Sequence, residues 1–256
     1  MNKTKSLITL FISLAFALSV TAGNNKTFHR IVKGTQKEPR VLACNYPEFS
    51  FHLPQMAGNF RLGVQNEGKS RWANELKVVE LKEKNGTLTY ILKDVLLGSG
   101  NLVVRVTGLT NSDGFIMEVE AKEILSTMQL MWSFGGCYGQ VLDDKTDSRM
   151  KPVYCKDNVF SVEGSAFTCY YGESMKLKVI QGVTPLLSEI RLSDAHQQET
   201  PLSLFQSGKK TDAPALAATT PIKSGEKLYF CFYTQNTKAD YNYFMLPTLF
   251  AQEFNK

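Results

Sequence analysis

The sequence is poor in the residues from which most reactive sites are built. Only three histidines, His29, His52 and His196, occur in 256 residues, and they lie far apart along the chain. The five cysteines, Cys44, Cys137, Cys155, Cys169 and Cys231, include no C-x-x-C pair, so no zinc-ligand spacing is present. There is no G-x-S-x-G elbow, no H-E-x-x-H, no phosphate-cradling glycine loop and no dinucleotide fingerprint. Those gaps remove the motif-bearing serine hydrolases, zinc proteases and nucleotide enzymes from consideration. Charge of one sign is also scarce: 29 basic residues face 24 acidic ones, too even a balance to imply nucleic acid. With 43% hydrophobic and 21% charged residues the chain is nevertheless too apolar for disorder. Neither a cofactor nor a metal is expected.

Long apolar runs are missing except at the start. Lys3 and Lys5 precede an apolar stretch from Leu7 to Val20, and Val20-Thr21-Ala22 supplies small residues for cleavage, the pattern of a signal peptide over residues 1–22. The stretch is interrupted by Thr9, Ser13 and Ser19 and is short for a membrane span. No Cys follows it for lipid attachment, and no later segment is expected to cross a membrane. The protein is thus expected to be exported, to the periplasm, the cell surface or the medium. Disulfides persist in such compartments, but five cysteines cannot all pair within one chain. Buried free thiols are expected, with one bridge such as Cys137 to Cys155.

What the sequence does have is apolar alternation at period two. Phe49, Phe51 and Leu53 alternate with Ser50 and His52, and Phe60, Leu62 and Val64 with Arg61 and Gln65. After the hairpin dipeptide Asn85-Gly86 come Leu88, Tyr90 and Leu92; then Leu102, Val104 and Val106; then, past Asp113-Gly114, Phe115, Met117 and Val119. Met128, Leu130, Trp132 and Phe134 share one face before Gly135-Gly136, and later candidates run through Phe160, Phe167, Met175 to Val179, and Leu228 to Tyr233. About a dozen antiparallel strands follow at sandwich spacing. The pattern predicts an all-β fold, a large antiparallel β-sandwich, because two packed sheets bury apolar faces that one open sheet leaves wet. It is read as one domain over residues 41–256, after a lead-in over 23–40. Leu187 to Glu199, bounded by Pro185 and Pro201, is a candidate short helix, and Ser207 to Pro221, rich in Ala, Thr, Pro and Lys, a surface loop.

Few residues offer chemistry. Glycoside cleavage needs two carboxyl groups about 5 to 9 Å apart; Glu118 and Glu120, two apart on one strand face, and Asp113 in the preceding turn are the catalytic candidates, with a solvated sheet face as the simpler reading. Asp143, Asp144 and Asp147 form an acidic loop without the spacing of a calcium hand. A flat ring can cover the C–H face of a sugar while amides and charges bind its hydroxyls. Trp72, in the polar stretch Gly68-Lys69-Ser70-Arg71-Trp72-Ala73-Asn74, is therefore a candidate ligand contact together with Arg71 and Asn74. Tyr229 and Tyr233, opposite an apolar strand face, could line an exposed sheet surface. Trp132 reads as core.

The stretch from Leu102 through Asp113-Gly114 to Phe115, followed by Leu130-Met131-Trp132-Ser133-Phe134-Gly135-Gly136, resembles a family of exported Bacteroidetes proteins catalogued as a domain of unknown function. The resemblance covers about residues 40 to 250. Family members are typically much longer, and their β-rich region looks like the N-terminal sandwich ahead of a helical toroid similar to those of glycoside hydrolases. No such toroid is expected within residues 1–256, which are either a natural short member or part of a longer reading frame, and in similar enzymes that part usually carries the acid and base. The resemblance implies a non-catalytic, supersandwich-like protein associated with glycan use, either a binding module or an accessory domain for a partner protein or helical catalytic domain. Two other readings stay open: a polysaccharide hydrolase or lyase using paired carboxylates, and a structural or interaction protein that adds strands to another sheet.

Overall fold

The structure is a computed structural model that describes residues 29–31, 40–51, 53, 58–124, 127–137, 149–156, 158–171, 178–208 and 210–255. The expected signal peptide, most of the lead-in, His52, Asp143, Asp144, Asp147, Met175 and Leu177 lie outside them. In chain order the strands are β1 (His29–Ile31), β2 (Val41–Ala43), β3 (Glu48–Phe51), β4 (Asn59–Asn66), β5 (Lys69–Trp72), β6 (Val78–Lys84), β7 (Thr87–Lys93) and β8 (Asn101–Gly108). They continue as β9 (Gly114–Lys122), β10 (Met128–Gly135), β11 (Val159–Glu163), β12 (Ala166–Tyr171), β13 (Lys178–Val183), β14 (Glu189–Asp194), β15 (Pro214–Ile222) and β16 (Lys227–Thr234). Two α-helices, α1 (Pro201–Gln206) and α2 (Leu246–Phe254), and four single-turn 3-10 helices complete the described elements.

The strands form two eight-stranded antiparallel sheets. The first runs β1-β2-β3-β4-β10-β15-β14, with β5 also paired to β4; the second runs β11-β12-β13-β16-β9-β8-β7-β6. The all-β sandwich read from period two is the observed architecture. Asn85 and Gly86 both take positive φ, 51° and 71°, the conformation of a two-residue hairpin turn, and they join β6 to β7.

The two inner faces meet through a layer of aromatic rings. Phe115 of β9 stacks on Phe232 of β16 with centroids 5.3 Å apart and planes 6° apart. Around this pair close Phe49, Phe60, Trp132, Phe134 and Phe167, each with its centroid 4.9–5.9 Å from one of the two rings. Phe167 lies across β13 at Gly182, its register partner, where any Cβ would overlap the ring. The glycine is the only residue type that leaves room for it.

Three sequence expectations change. Residues Leu187 to Glu199 hold strand β14 and turns, because Ile190 and Leu192 alternate at period two and pair with Ala218 and Leu216. The helix starts instead at Pro201: Thr200 Oγ1 accepts from the Ser203 backbone N–H at 3.0 Å, and proline at the first helical position starts a helix rather than stopping one. The supposed surface loop from Ser207 to Pro221 contains most of β15, paired on both sides with β10 and β14; its alanines are buried because neighbouring strands and α1 leave only small spaces. Helix α2, with Leu246, Phe250 and Glu253 on its buried side, had no counterpart in the strand pattern.

Truncating Phe232 to Ala removes the ring at the centre of this layer and is expected to cost about 3–5 kcal/mol. Gly182→Ala forces Phe167 aside and should cost about 1–3 kcal/mol. Urea unfolding of the two variants against the parent protein measures both.

Candidate functional site

Glu118 and Glu120 lie on the outer face of the second sheet, where β8, β9 and β16 run side by side. Register places Arg105, Glu118 and Tyr229 in one row, and Val103, Glu120 and Lys227 in the next. Arg105 Nη1 donates to Glu118 Oε1 at 2.6 Å and to Glu120 Oε2 at 3.0 Å. Lys227 Nζ lies 3.4 Å from Glu118 and Lys122 Nζ 3.6 Å from Glu120. Tyr229 donates its hydroxyl to Glu118 Oε2 at 2.9 Å. The solvated face expected here is half right: the lysines reach solvent, but the Glu118 side chain is only 5% exposed.

The burial comes from α2. Phe250 packs on the Tyr229 ring with centroids 5.8 Å apart, and Glu253 accepts from the Thr110 backbone N–H and hydroxyl at 3.1 and 2.6 Å. Tyr233, expected on an exposed surface, is fully buried beneath this cap. It donates to Gln181 Oε1 at 2.5 Å and accepts from the Tyr241 backbone N–H at 2.9 Å, and burial pushes its phenol up to about 12. Burial and the bond to Glu118 likewise raise Tyr229. Both tyrosines therefore stay protonated donors at neutral pH.

These carboxylates do not face each other across a cleft. Both sit on one strand and share one guanidinium. Burial acts to raise Glu120, but the Arg105 hydrogen bond and the nearby lysines outweigh it and hold the group below its ordinary value, the wrong direction for a general acid. Asp113 is not brought to them: it closes the turn before β9, its carbonyl accepting from Thr234 N–H at 2.9 Å. Five positions of strand place it roughly 16 Å from Glu118.

Of the other sequence candidates, Trp72 and Asn74 lie on the outer face of the first sheet, and Arg71, one position before Trp72 on β5, points the other way. Trp72 is not in an open stretch between strands: it ends β5, is 1% exposed, and donates Nε1–H to the Gln198 carbonyl at 3.0 Å. The Arg61 guanidinium lies 4.1 Å from its ring centroid. Its own chain thus covers the ring that was expected to meet a sugar. Arg71 pairs with Asp94, Nη1 to Oδ2 at 2.9 Å, and Asp94 also caps the turn at residues 95–97 through the Leu96 N–H. Asn74 accepts from Arg61 Nη2 at 3.5 Å.

Sequence reading missed the residues at the centre of this face. Glu48 and Arg61 sit opposite each other on β3 and β4 and form a buried ion pair, Nε to Oε1 at 3.3 Å, with side chains 0% and 2% exposed. Ser133 of β10 continues the row, and Asn59 occupies the next position on that side of β4. Among the described residues Glu48 Oε2, Arg61 Nη1, Ser133 Oγ and both polar atoms of Asn59 make no hydrogen bond. Such atoms are ordinarily met by ordered water when buried. Arg61 had looked like the wet side of an alternating strand; the signal available was a charged pair placed in register. The described residues contain no group of three or more metal-ligating side chains.

These features define an antiparallel two-sheet β-sandwich whose identified charges are bound to one another. Residues 53–253 match the family model described as Domain of unknown function (DUF4450), and the chain belongs to that family. No curated protein matches it.

Two outcomes follow for the ion pairs. Arg105→Ala removes the bond to Glu118 Oε1 but leaves Tyr229 and Lys227 on Oε2, and is expected to cost about 1–3 kcal/mol. Because Glu120 has a folded pKa below its unfolded value of about 4.3, it contributes stability that is present above that pH and lost as pH falls through the folded value; the Arg105→Ala variant should lose less stability than the parent on that descent. Arg61→Ala should cost about 3–5 kcal/mol, whereas an Arg61→Met, Glu48→Gln double variant recovers more than half of it. Chemical denaturation at pH 7 and down a pH series checks these values.

Proposed function

We propose that the protein is a non-catalytic, exported β-sandwich that associates with glycans, as a binding or accessory module of a carbohydrate-processing system. The observation that carries the non-catalytic part is Arg105 holding Glu118 and Glu120 at once, with Asp113 roughly 16 Å away. A carboxylate fixed by two cations and a phenol has no free oxygen poised over a glycosidic bond. Glycan contact draws support from the family-like stretches at residues 102–115 and 130–136 and from one open aromatic position. Phe244 is 78% exposed, beside Tyr243 at 6.4 Å edge to face, next to the exposed Asn242. A ring and an amide side by side supply what Trp72, being covered, does not.

Titration calorimetry of the purified protein against a panel of plant and host polysaccharides is expected to give heat with at least one of them, and Phe244→Ala should weaken it tenfold or more with an unchanged melting temperature. Flat titrations throughout reject glycan binding. Sugar release that disappears in Glu118→Gln would replace the proposal with the hydrolase or lyase reading.

A further inference from the structure

The five cysteines are all buried, but they do not share one layer. Cys155 packs with Trp72, Met131 and Ala215 on the outer side of the first sheet, and Cys231 lies under α2 on the outer side of the second. Cys137 and Cys169 alone among the five belong to the aromatic layer between the sheets. Their sulfurs are 3.4 Å apart. Cys137 follows the end of β10, and its backbone N–H is pinned by Asn158 Oδ1 at 2.9 Å, with Asn158 Nδ2 donating to the Tyr154 carbonyl at 2.8 Å. Cys169 is held in mid-strand between Phe160 and Ile180.

We propose that Cys137 and Cys169 are a dithiol that closes to a disulfide joining the two sheets. This displaces the Cys137–Cys155 bridge expected from sequence. Closing the 3.4 Å gap to the covalent length of about 2.05 Å needs a sulfur shift of only about 1.4 Å. Cys155 lies near both sulfurs, but it packs in the outer cluster and takes a hydrogen bond from the Gly136 backbone, whereas the Cys137 and Cys169 sulfurs touch each other.

The oxidant is a disulfide, either a small-molecule one or that of a thiol oxidoreductase. One protein thiolate attacks it, forming a mixed disulfide and releasing one reduced thiol. The second protein thiolate then attacks the protein sulfur of that mixed bond, releasing the other. The two protein thiols lose two protons and two electrons, and the oxidant's S–S bond becomes two thiols. Burial raises the Cys137 thiol well above its ordinary range, so the thiolate is scarce in the closed protein. The exchange therefore accompanies folding. Export would supply an oxidising compartment, but the chemistry does not depend on the glycan reading.

The test is refolding of the full chain, reduced and denatured, with and without a glutathione disulfide and thiol couple, followed by acid quench, alkylation and peptide mapping. The expected result is a product 2 Da lighter before alkylation, three cysteines alkylated in denaturant, and a peptide linking Cys137 to Cys169. Its melting temperature should exceed that of the reduced protein by roughly 5–10 °C, and the same link should survive Cys155→Ala. Five alkylated cysteines after oxidative refolding, a link from Cys137 to Cys155, or equal melting of the oxidised and reduced forms would overturn the proposal.

Discussion

Two broad sheets stay face to face only if the residues between them fill the gap without voids, and here the gap is filled by rings. Phe115 and Phe232 stack nearly parallel, and the remaining rings lean on them at tilted or edge-on angles, the arrangements that aromatic quadrupoles favour. The shape of this layer sets where backbones come close. Gly182 lies under the Phe167 ring, and Gly114 lets β9 approach the β16 backbone at the Phe232 carbonyl, so one ring position and one close strand approach each depend on a residue without a side chain. The packing and the choice of glycine form one constraint.

With the interior committed to apolar rings, polar residues are confined to the outer faces, and those faces are covered as well. Helix α2 shields part of the second sheet, and its edge falls at Tyr229, which touches Phe250 on one side and Glu118 on the other. The charges there are paired in a continuous ladder. On the first sheet Trp72 and α1 cover part of the opposite outer face, and the Glu48–Arg61 pair is left with unmatched polar atoms. A buried ion pair is a poor source of net stability and severe to break, so the two faces differ in kind: one is electrostatically complete, the other is not.

The strand architecture was legible because apolar alternation depends only on neighbours in sequence. Phe60, Leu62 and Val64 announce a strand, and Asn85-Gly86 announces the turn between β6 and β7, wherever the rest of the chain goes. Strand β15 was illegible for the opposite reason. Ala215 and Ala217 carry no hydrophobic signature, and their burial is decided by β10, β14 and α1. Trp72 was misplaced because its polar sequence neighbours do not disclose that Arg61, eleven residues earlier, lies over its ring. The proximity of Cys137 to Cys169 is likewise a property of two sheets meeting, invisible to spacing along one chain.

The span matched by the family begins at Leu53, yet the physical unit extends upstream of it. Phe49 brings its ring to 4.9 Å from Phe115, Phe51 meets Phe134 edge-on at 6.3 Å, and Glu48 supplies the only carboxylate paired with Arg61 among the described residues. Removing β3 would open the aromatic layer and leave a guanidinium buried without its counter-ion, two defects each large against the stability of an ordinary domain. Residues before position 53 are therefore part of the same cooperative core, and the sandwich is defined by where its rings and charges close rather than by where the family match starts.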